Sequence, residues 1–259
     1  MTVFGLDDAV VRQLVADVSG ADDLDDASVA DRFASAAWSV ITEPGDGDAG
    51  ALIASRGAAE ALRSVLHDGE ADAQRAGTAV CSPESMQRWR PRLRSSDVLR
   101  ALTMASRVGA RMLVPAAEPA PTDPWPHGVD DLGDHAPIAL WVLGDPALLT
   151  APLGGVALVG ARAATGYGEH VAGELSAGLC ERGFAIVSGA AYGIDGMAHR
   201  TALATNGLTF AFLAGGVDRF YPAGHDELLR RVAQHGVVLS ELPCGAAPTK
   251  WRFLQRKRG

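Results

Sequence analysis

The sequence predicts an α/β protein in which a parallel sheet carries helices on both faces and follows a small helical N-terminal domain. Three observations predict this fold class. From residue 155 onward, apolar runs of four to seven residues recur, amphipathic stretches separate them, and glycines close these stretches. Short buried strands that alternate with helices are typical of βαβ units with right-handed crossovers. We therefore divide the chain into a helical domain, residues 1–108, and a sheet domain, residues 109–259.

The helical domain is predicted from apolar residues that recur at three- and four-residue spacing. These residues occur in LDDAVVRQLVADV, ASVADRFASAAWSVI and GAAEALRSVLHDGEADAQRAG. A turn-rich loop, EPGDGDAG at 43–50, separates two of the helices, and SSDVLRALTMASRVG forms another that ends at Gly109. No catalytic constellation occurs here, so we interpret this half as a packing or partner module.

The stretch from Arg111 to Leu149 is transitional. RMLVP predicts a short strand, AAEPAPTDPWPHG a proline-rich loop, and APIALWVLG a buried strand closed by Gly144. The stretch is either a linker or an extra strand attached to the following sheet. We favour the extra strand, because its apolar run is too strong to stay exposed.

Four strands and three helices are predicted in the remainder of the sheet domain. The strands are VALVG (156–160), FAIVSG, LTFAFLAGG and VVLSE. The helices between them are YGEHVAGELSAGLCERG, which ends at Gly183, IDGMAHRTALATNG, which ends at Gly207, and HDELLRRVAQHG.

Composition limits the classes of function. No run of about 18 apolar residues occurs and no secretion signal begins the chain, so we expect a cytoplasmic protein without membrane contact. The cysteines Cys81, Cys180 and Cys244 are odd in number and far apart, which fits neither a disulfide framework nor a CxxC metal site. The net charge of −8 argues against a nucleic-acid binder, but the distribution of charge matters more than its sum.

Basic residues crowd two places, 88–111 and 250–258, whereas acidic residues crowd the first 31 positions. The basic stretches are either binding surfaces or solvated faces. In the second stretch Lys250 stands beside Trp251, and we expect Lys250 to contact phosphate.

Ligands of open parallel sheets bind beyond the carboxyl ends of the strands, where this chain concentrates glycines, hydroxyls and free amides. A dinucleotide fingerprint would need glycine at position 162 and an acidic residue at the end of the second strand, but the chain has Arg162 and Ser188. A guanidinium beside a helix N-terminus suits a phosphate group better than a ribose. The alternative is that Arg162 forms a surface ion pair. The predicted phosphate-binding residues at the strand ends are Gly160, Arg162, Thr165, Gly166, Ser188, Gly189, Gly193, Gly215 and Gly216.

Other side chains near the strand ends have two interpretations each. Tyr192, Phe220 and Tyr221 either stack on bases or pin their loops to the sheet. Asp195 and His199 share one helix face and form either a metal or acid–base pair, or a helix cap with a packed histidine. We favour the second interpretation and expect no metal, no cofactor and no catalytic residue.

Five ordered motifs then identify a resemblance. GARAATGYG, SGAAYGIDGMAH, AGGVDRFYP, SELPCGAAPTKWRF and the preceding DPWPHGVDDLGDHAPIALWVLG together resemble the DNA processing protein A family (DprA, also called Smf), from about residue 111 to the end. The resemblance implies a Rossmann-like fold that binds single-stranded DNA without sequence preference in natural transformation and recombination. It also implies that Arg162 contacts the strand's backbone, that a late F-x-x-R motif falls on Phe253 and Arg256, and that a RecA-type recombinase is loaded on the strand. We expect Arg256 to contact phosphate and Phe253 either to stack on a base or to support its loop.

The family pattern continues beyond this sequence, with an asparagine where Lys257 stands and an apolar helix after it. We therefore expect a chain truncated at its C-terminus, without the last sheet elements or a winged-helix domain. A homodimer and the recombinase contacts depend on that region in the family.

Two alternatives remain open at this point. One is a nucleotide hydrolase on a related fold that releases a base from a nucleoside monophosphate, although its usual PGGxGTxxE motif is replaced here by AGGVDRFYPAGHDE. The other is a sensor of a small nucleotide signal.

Overall fold

The computed structural model describes residues 4–21, 23–68, 81–116, 124–150 and 153–255 of the 259-residue chain. Within these ranges no helix is both long enough and apolar enough to span a bilayer.

The four predicted N-terminal helices are confirmed over the described residues, and two further helices are present that the sequence does not predict. In chain order the helices are α1 (Asp8–Ser19), α2 (Asp26–Ile41), α3 (Gly47–Arg56), α4 (Ala58–Asp68), α5 (Pro83–Trp89) and α6 (Ser95–Val108), of which α3 and α5 are the two not predicted. The Asp7 and Asp25 carboxylates cap α1 and α2 by accepting hydrogen bonds from the amides of Ala9 and Ser28, at 2.9 and 2.8 Å. Gly109 ends α6 in the left-handed conformation, at φ 70°. Residues 69–77 of the third predicted helix lie outside the described residues.

The predicted loop at 43–50 is wrong in its second half, because α3 begins at Gly47. The Asp46 carboxylate caps this helix through the amide of Ala49 and accepts a second hydrogen bond, 2.9 Å long, from the Trp89 indole of α5. Gly50 lies so close to another segment that an added Cβ would stand 1.9 Å from the carbonyl oxygen of Asp134. Tertiary contacts thus stabilise a helix in a glycine-rich segment whose local sequence favours a turn.

The sheet has six strands in the order β1-β2-β6-β5-β4-β3. They are β1 (Arg111–Leu113), β2 (Leu140–Gly144), β3 (Gly155–Ala157), β4 (Ala185–Ser188), β5 (Thr209–Phe212) and β6 (Val237–Ser240). Strands β3 to β6 are parallel, as predicted, whereas β2 pairs antiparallel with β6, and β1 antiparallel with β2. The sheet is therefore mixed rather than purely parallel. The transitional stretch contributes two strands, β1 and β2, because the apolar residues of β2 pair with the edge of β6 and those of β1 pair with β2.

Three helices connect the parallel strands: α7 (Gly166–Glu181), α8 (Ile194–Ala204) and α9 (Asp226–His235). They cover one face of the sheet, and 3₁₀ segments at His127–His135 and Pro146–Thr150 lie on the other. A last short helix, α10 (Lys250–Gln255), follows the end of β6.

One hydrophobic core joins the N-terminal helices to the sheet. The fully buried rings of Trp38 and Trp89 belong to the same cluster as Met112 of β1 and Trp141 of β2. The Trp141 indole also donates a hydrogen bond to the hydroxyl of Ser39 in α2, at 3.3 Å. The helical region therefore fixes the antiparallel edge of the sheet.

Candidate functional site

The carboxyl ends of β3 to β6 lie together at one border of the sheet. We call this border the carboxyl edge and define it as residues 158–166, 189–193, 213–225 and 241–253. The sequence predicts phosphate contacts from all four of its loops, but these loops differ in how far they face solvent.

A buried carboxylate holds the first two loops together. Asp195, in the first turn of α8, is 3% exposed. Its Oδ1 accepts a hydrogen bond from the amide of Gly160 at 3.4 Å, and its Oδ2 accepts one from the amide of Ala191 at 3.3 Å. The amide of Ile194 donates to the carbonyl of Ala161 at 3.2 Å. Asp195 thus cross-links the loops and orients the exposed segment around Arg162.

His199 lies one turn further along α8 and has a different environment. It is fully buried, and its Nδ1 is 2.7 Å from the hydroxyl of Thr209 in β5. No group of three or more His, Cys, Asp or Glu side chains suited to a metal ion occurs among the described residues. Asp195 and His199 therefore serve separate hydrogen-bond networks within the fold.

Glycines allow the close approach of the first two loops. An added Cβ at Gly193, whose φ is 76°, would stand 2.2 Å from the carbonyl oxygen of Ala161. At Gly160 it would stand 2.7 Å from Cγ1 of Ile194. Ser188 is buried and donates its hydroxyl hydrogen to the carbonyl of Leu158 at 2.6 Å. Ser188 and the buried Gly189 therefore shape the loops from inside.

The third loop is covered by the fourth. Gly215 and Gly216 are buried. A Cβ added at Gly215 would stand 3.0 Å from Cδ of Pro248, and one added at Gly216 would stand 2.7 Å from the carbonyl oxygen of Pro243. The amide of Gly216 already donates to the carbonyl of Ala246 at 2.9 Å. These two glycines accommodate the chain's own backbone, and the structure gives them no open face toward a ligand.

The solvent-facing part of the carboxyl edge is the turn that leads into α7. Gly160, Arg162, Thr165 and Gly166 are all exposed. Thr165 caps the helix, because its Oγ1 accepts a hydrogen bond from the amide of Gly168 at 3.2 Å. Arg162 therefore lies in the turn that precedes a helix beginning at Gly166, and both its guanidinium and the helix N-terminus attract anions.

Three predicted side chains from two loops and helix α10 come together at this turn. The Cζ atom of Arg162 lies 4.9 Å from the centroid of the Phe253 ring. The Phe253 and Tyr221 rings are 5.4 Å apart, with an interplanar angle of 52°. We call Arg162, Phe253 and Tyr221 the stacked cluster. Packing of a guanidinium on a ring face leaves its N–H groups free at the rim, where they can bind phosphate.

The other two predicted aromatic residues lie apart from the stacked cluster. Phe220 packs against the main hydrophobic core. The Tyr192 hydroxyl accepts a hydrogen bond from the amide of Gly224 at 3.3 Å, and its ring contacts His225 edge to face, with centroids 4.8 Å apart. Tyr192 is nevertheless 48% exposed, so part of its ring still faces solvent.

Helix α10 carries Phe253 and is anchored to the N-terminal region. The Arg252 guanidinium donates to the Glu43 carboxylate at 2.8 and 3.0 Å and to the carbonyl of Ala247 at 2.7 Å. Arg92 donates to the same carboxylate at 2.7 Å. Burial disfavours the ionised form of Glu43, but the hydrogen bonds from Arg252 and Arg92 outweigh it, and its pKa is lowered. No motif marks Glu43 in the sequence, because its partners Arg92 and Arg252 are 49 and 209 residues away.

The exposed positive charge at the carboxyl edge comes from Arg162, Arg219 and Lys250. None of the three forms an ion pair with a carboxylate in the described ranges. In the first basic stretch, by contrast, Arg88 pairs with Asp46 and Asp48, Arg92 with Glu43, and Arg100 with Asp97. Those arginines are largely neutralised. Arg256, predicted to bind phosphate, lies outside the described residues.

Two titratable groups in the fourth loop have shifted pKa values. Burial raises the pKa of Glu241 to about 7. Burial, with a smaller effect of Asp218, raises the pKa of the Cys244 thiol to about 12. Cys244 therefore stays protonated at neutral pH and does not supply a thiolate nucleophile.

Comparison with known proteins agrees with this fold and its motifs. Residues 120–259 match the family model described as DNA recombination-mediator protein A. A DNA processing protein DprA of Mycobacterium tuberculosis is 57% identical over 124 residues, which cover 48% of this chain and 32% of that protein. The Bacillus subtilis DprA is 38% identical over 122 residues, which cover 47% of this chain and 41% of that protein. The matched part thus spans less than half the length of these relatives.

The fold is also similar to that of a solved structure. The X-ray structure of DNA processing protein A from Streptococcus pneumoniae superposes with a TM-score of 0.60 at 26% sequence identity. The superposition covers 88% of this chain and 73% of that chain, so the similarity includes the N-terminal helices as well as the sheet.

Proposed function

The chain belongs to the DNA recombination-mediator protein A family, and from this premise we propose that its carboxyl edge binds single-stranded DNA without regard to base sequence. The observation that carries the proposal is Arg162: an exposed guanidinium, stacked on Phe253, in the turn that leads into α7 and without a carboxylate partner among the described residues. Such a group gains most from an anion with several acceptor oxygens, which is the chemistry of a phosphodiester.

The candidate residues divide into those that touch the strand and those that shape its site. Phosphate contacts come from Arg162, Thr165, the amide of Gly166 and Lys250, whereas the amide of Gly160 already donates to Asp195. Buried or backbone-packed residues shape the loops, and these are Ser188, Gly189, Gly193, Gly215 and Gly216. This division follows the exposure of each residue.

The preference for a single strand follows from the aromatic residues. Tyr221 and Tyr192 are each 48% exposed, and Phe253 is partly exposed beside Arg162. Bases of a single strand expose their faces, whereas a duplex hides them in its stack, so only the single strand can stack on these rings. Stacking accepts any base, which accounts for binding without sequence preference.

We place this activity in DNA processing during natural transformation and recombination, with loading of a RecA-type recombinase on the bound strand. Support for this role comes from the family and from relatives named for DNA processing. We propose that the chain acts by binding rather than by catalysis. Because the matched part spans less than half the length of these relatives, we propose the recombinase contact and a homodimer for the whole protein.

The test is fluorescence anisotropy with labelled single- and double-stranded oligonucleotides across a salt series. We expect the single strand to bind more tightly. We also expect Arg162→Ala to weaken binding and to shallow the slope of log K against log salt by about 0.7, the value for one lost phosphate contact.

A matched control is Arg182→Ala, which removes an exposed arginine just beyond the opposite end of α7, roughly 24 Å away by helix rise. It should leave both affinity and slope unchanged. Equal affinity for single and double strands, or an Arg162→Ala slope equal to that of the wild type, would refute the proposed site. Release of free base from nucleoside monophosphates would instead favour a hydrolase.

A further inference from the structure

A second feature on the other side of α10 has the properties of a base-binding site. A cleft of about 600 Å³ lies between the α2–α3 connection and α5, and Trp251 of α10 forms part of its wall. The α2–α3 connection, residues 42–46, lines one side, and Arg88, Trp89 and Arg92 line the other. The volume is ample for a single nucleobase.

Trp251 is unusual among the five tryptophans of the chain. It is 53% exposed, whereas the other four are at most 2% exposed, namely Trp38, Trp89, Trp125 and Trp141. Trp251 is therefore a large aromatic surface that the fold leaves open beside a cleft.

Helix geometry connects Trp251 to the stacked cluster. Residues 251 and 253 are two positions apart in α10, and successive helical residues rotate by about 100°, so their side chains leave opposite sides of the helix. Phe253 faces Arg162, and Trp251 faces the cleft. The two rings are separated by about the width of a helix, 10–12 Å, which roughly three nucleotides at 3.4 Å spacing would span.

The charges of the cleft identify the part of a nucleotide that fits. Its three carboxylates are matched by three guanidinium groups at hydrogen-bond distance: Glu43 pairs with Arg92 and Arg252, and Asp46 and Asp48 pair with Arg88. The balance leaves no net charge to attract a phosphate. An uncharged, planar base with a polar edge suits such a wall, since it can stack on Trp251 and still find donors and acceptors.

We propose that this cleft binds an unpaired nucleobase of the same strand whose phosphates lie at the carboxyl edge, and that the base stacks on Trp251. The inference rests on the proposed function and extends it: α10 would stand between a phosphate contact at Arg162 and a base contact in the cleft. Lys250, which is exposed and precedes Trp251, is placed to neutralise the backbone between them.

The experiment uses the intrinsic fluorescence of the full chain. Trp251 is the exposed tryptophan of the cleft and Trp89 in the opposite wall is buried, so quenching by an unlabelled oligothymidylate should come mainly from Trp251. Bound strand should also protect Trp251 from acrylamide. Trp251→Phe should remove most of the quenching while retaining most of the affinity. Trp251→Ala should weaken binding by about 5- to 150-fold, the range expected for one lost base stack, at an unchanged salt slope.

Lys250→Ala is the control for charge, because it should shallow the salt slope without removing the fluorescence change. If anisotropy shows binding to wild type but Trp251 emission and acrylamide access do not change, the cleft is not a base site and the proposed function stands. A Trp251→Ala variant with wild-type affinity leads to the same conclusion. If the wild type binds no single strand by anisotropy, the proposed function itself fails, and the cleft proposal fails with it.

Discussion

The guanidinium carbon of Arg162 lies 4.9 Å from the centre of the Phe253 ring, although the two residues are 91 positions apart. The ring supports the guanidinium from one side and leaves its hydrogen-bond donors directed at solvent. The contact joins the turn before α7 to the last helix of the described chain, so changes in either segment should reach the other.

Replacement of Phe253 should weaken single-strand binding through Arg162. A cation–π contact at an exposed site contributes about 0.5–1 kcal/mol, and a base stack on the ring would add about 1–3 kcal/mol. We therefore expect Phe253→Ala to lower affinity by at least about 2- to 5-fold, and Phe253→Tyr to retain it. A double-mutant cycle with Arg162→Ala measures the coupling by anisotropy. If both changes act independently, with additive free energies, Phe253 does not position Arg162.

Glu43→Gln should weaken DNA binding even though it removes a negative charge. Loss of an acid normally strengthens the binding of an anion, but here the carboxylate holds Arg252 and thereby α10, which carries Phe253. We also expect the free energy of unfolding to fall by roughly 1–2 kcal/mol, as for a lost charge-assisted hydrogen bond.

The control for Glu43→Gln is Asp97→Asn, which frees Arg100 without touching α10. It should leave binding equal or slightly stronger. Tighter binding by Glu43→Gln than by the wild type would show that the carboxylate acts only as a repulsive charge.

Gly193→Ala should destabilise the carboxyl edge more than its positive φ alone would predict. Its Cβ would stand 2.2 Å from the Ala161 carbonyl, so overpacking of about 1–3 kcal/mol adds to the strain of a positive φ. Gly133→Ala is the matched control, because its φ of 57° and ψ of −127° resemble the 76° and −126° of Gly193, and nothing lies within 4 Å of its added Cβ. Urea unfolding should show the larger loss for Gly193→Ala, and equal losses would mean that the two loops separate without cost.

Glu241 should make the protein less stable as pH rises from about 4.5 to about 7. Burial raises the folded-state pKa to about 7 from an ordinary value of 4.5, so the folded state binds more protons within this window. Below the window both states are protonated and no penalty exists, whereas above it the buried charge costs stability.

The expected cost of the ionised Glu241 is roughly 1–3 kcal/mol, since Glu241 remains partly exposed. A nearby cavity of about 20 Å³ is lined by Glu241, Glu43 and Asp46. Unfolding measured at pH 5 and 8 should show the difference, and Glu241→Gln should remove most of it, whereas the exposed Glu227→Gln should not. A pH dependence unaffected by Glu241→Gln would assign it to other groups.

Local sequence predicts the elements of this fold well where periodicity decides them. The four parallel strands, their connecting helices and the exposed position of Arg162 all follow from apolar runs and the ends of those runs. The mixed sheet does not follow, because β2 reads as a buried strand whichever direction it pairs. Nor does α3, whose cap Asp46 depends on a hydrogen bond from Trp89, 43 residues away.

The same limit applies to the site. Gly215 and Gly216 have the composition of a phosphate loop, but residues 243–248 cover them, and no local pattern signals that cover. Glu43 and the cleft beside Trp251 arise only from long-range packing. The sequence therefore locates the exposed turn at Arg162, and tertiary contacts decide which other loops can join it.

The shared core of Trp38, Trp89, Met112 and Trp141 has a consequence for how the molecule opens. Since the helical region and the sheet bury their largest side chains against each other, we expect them to melt in one transition. Binding of a DNA strand at the carboxyl edge should then slow amide hydrogen exchange in α2. The strand would protect these backbone hydrogens although it does not approach them.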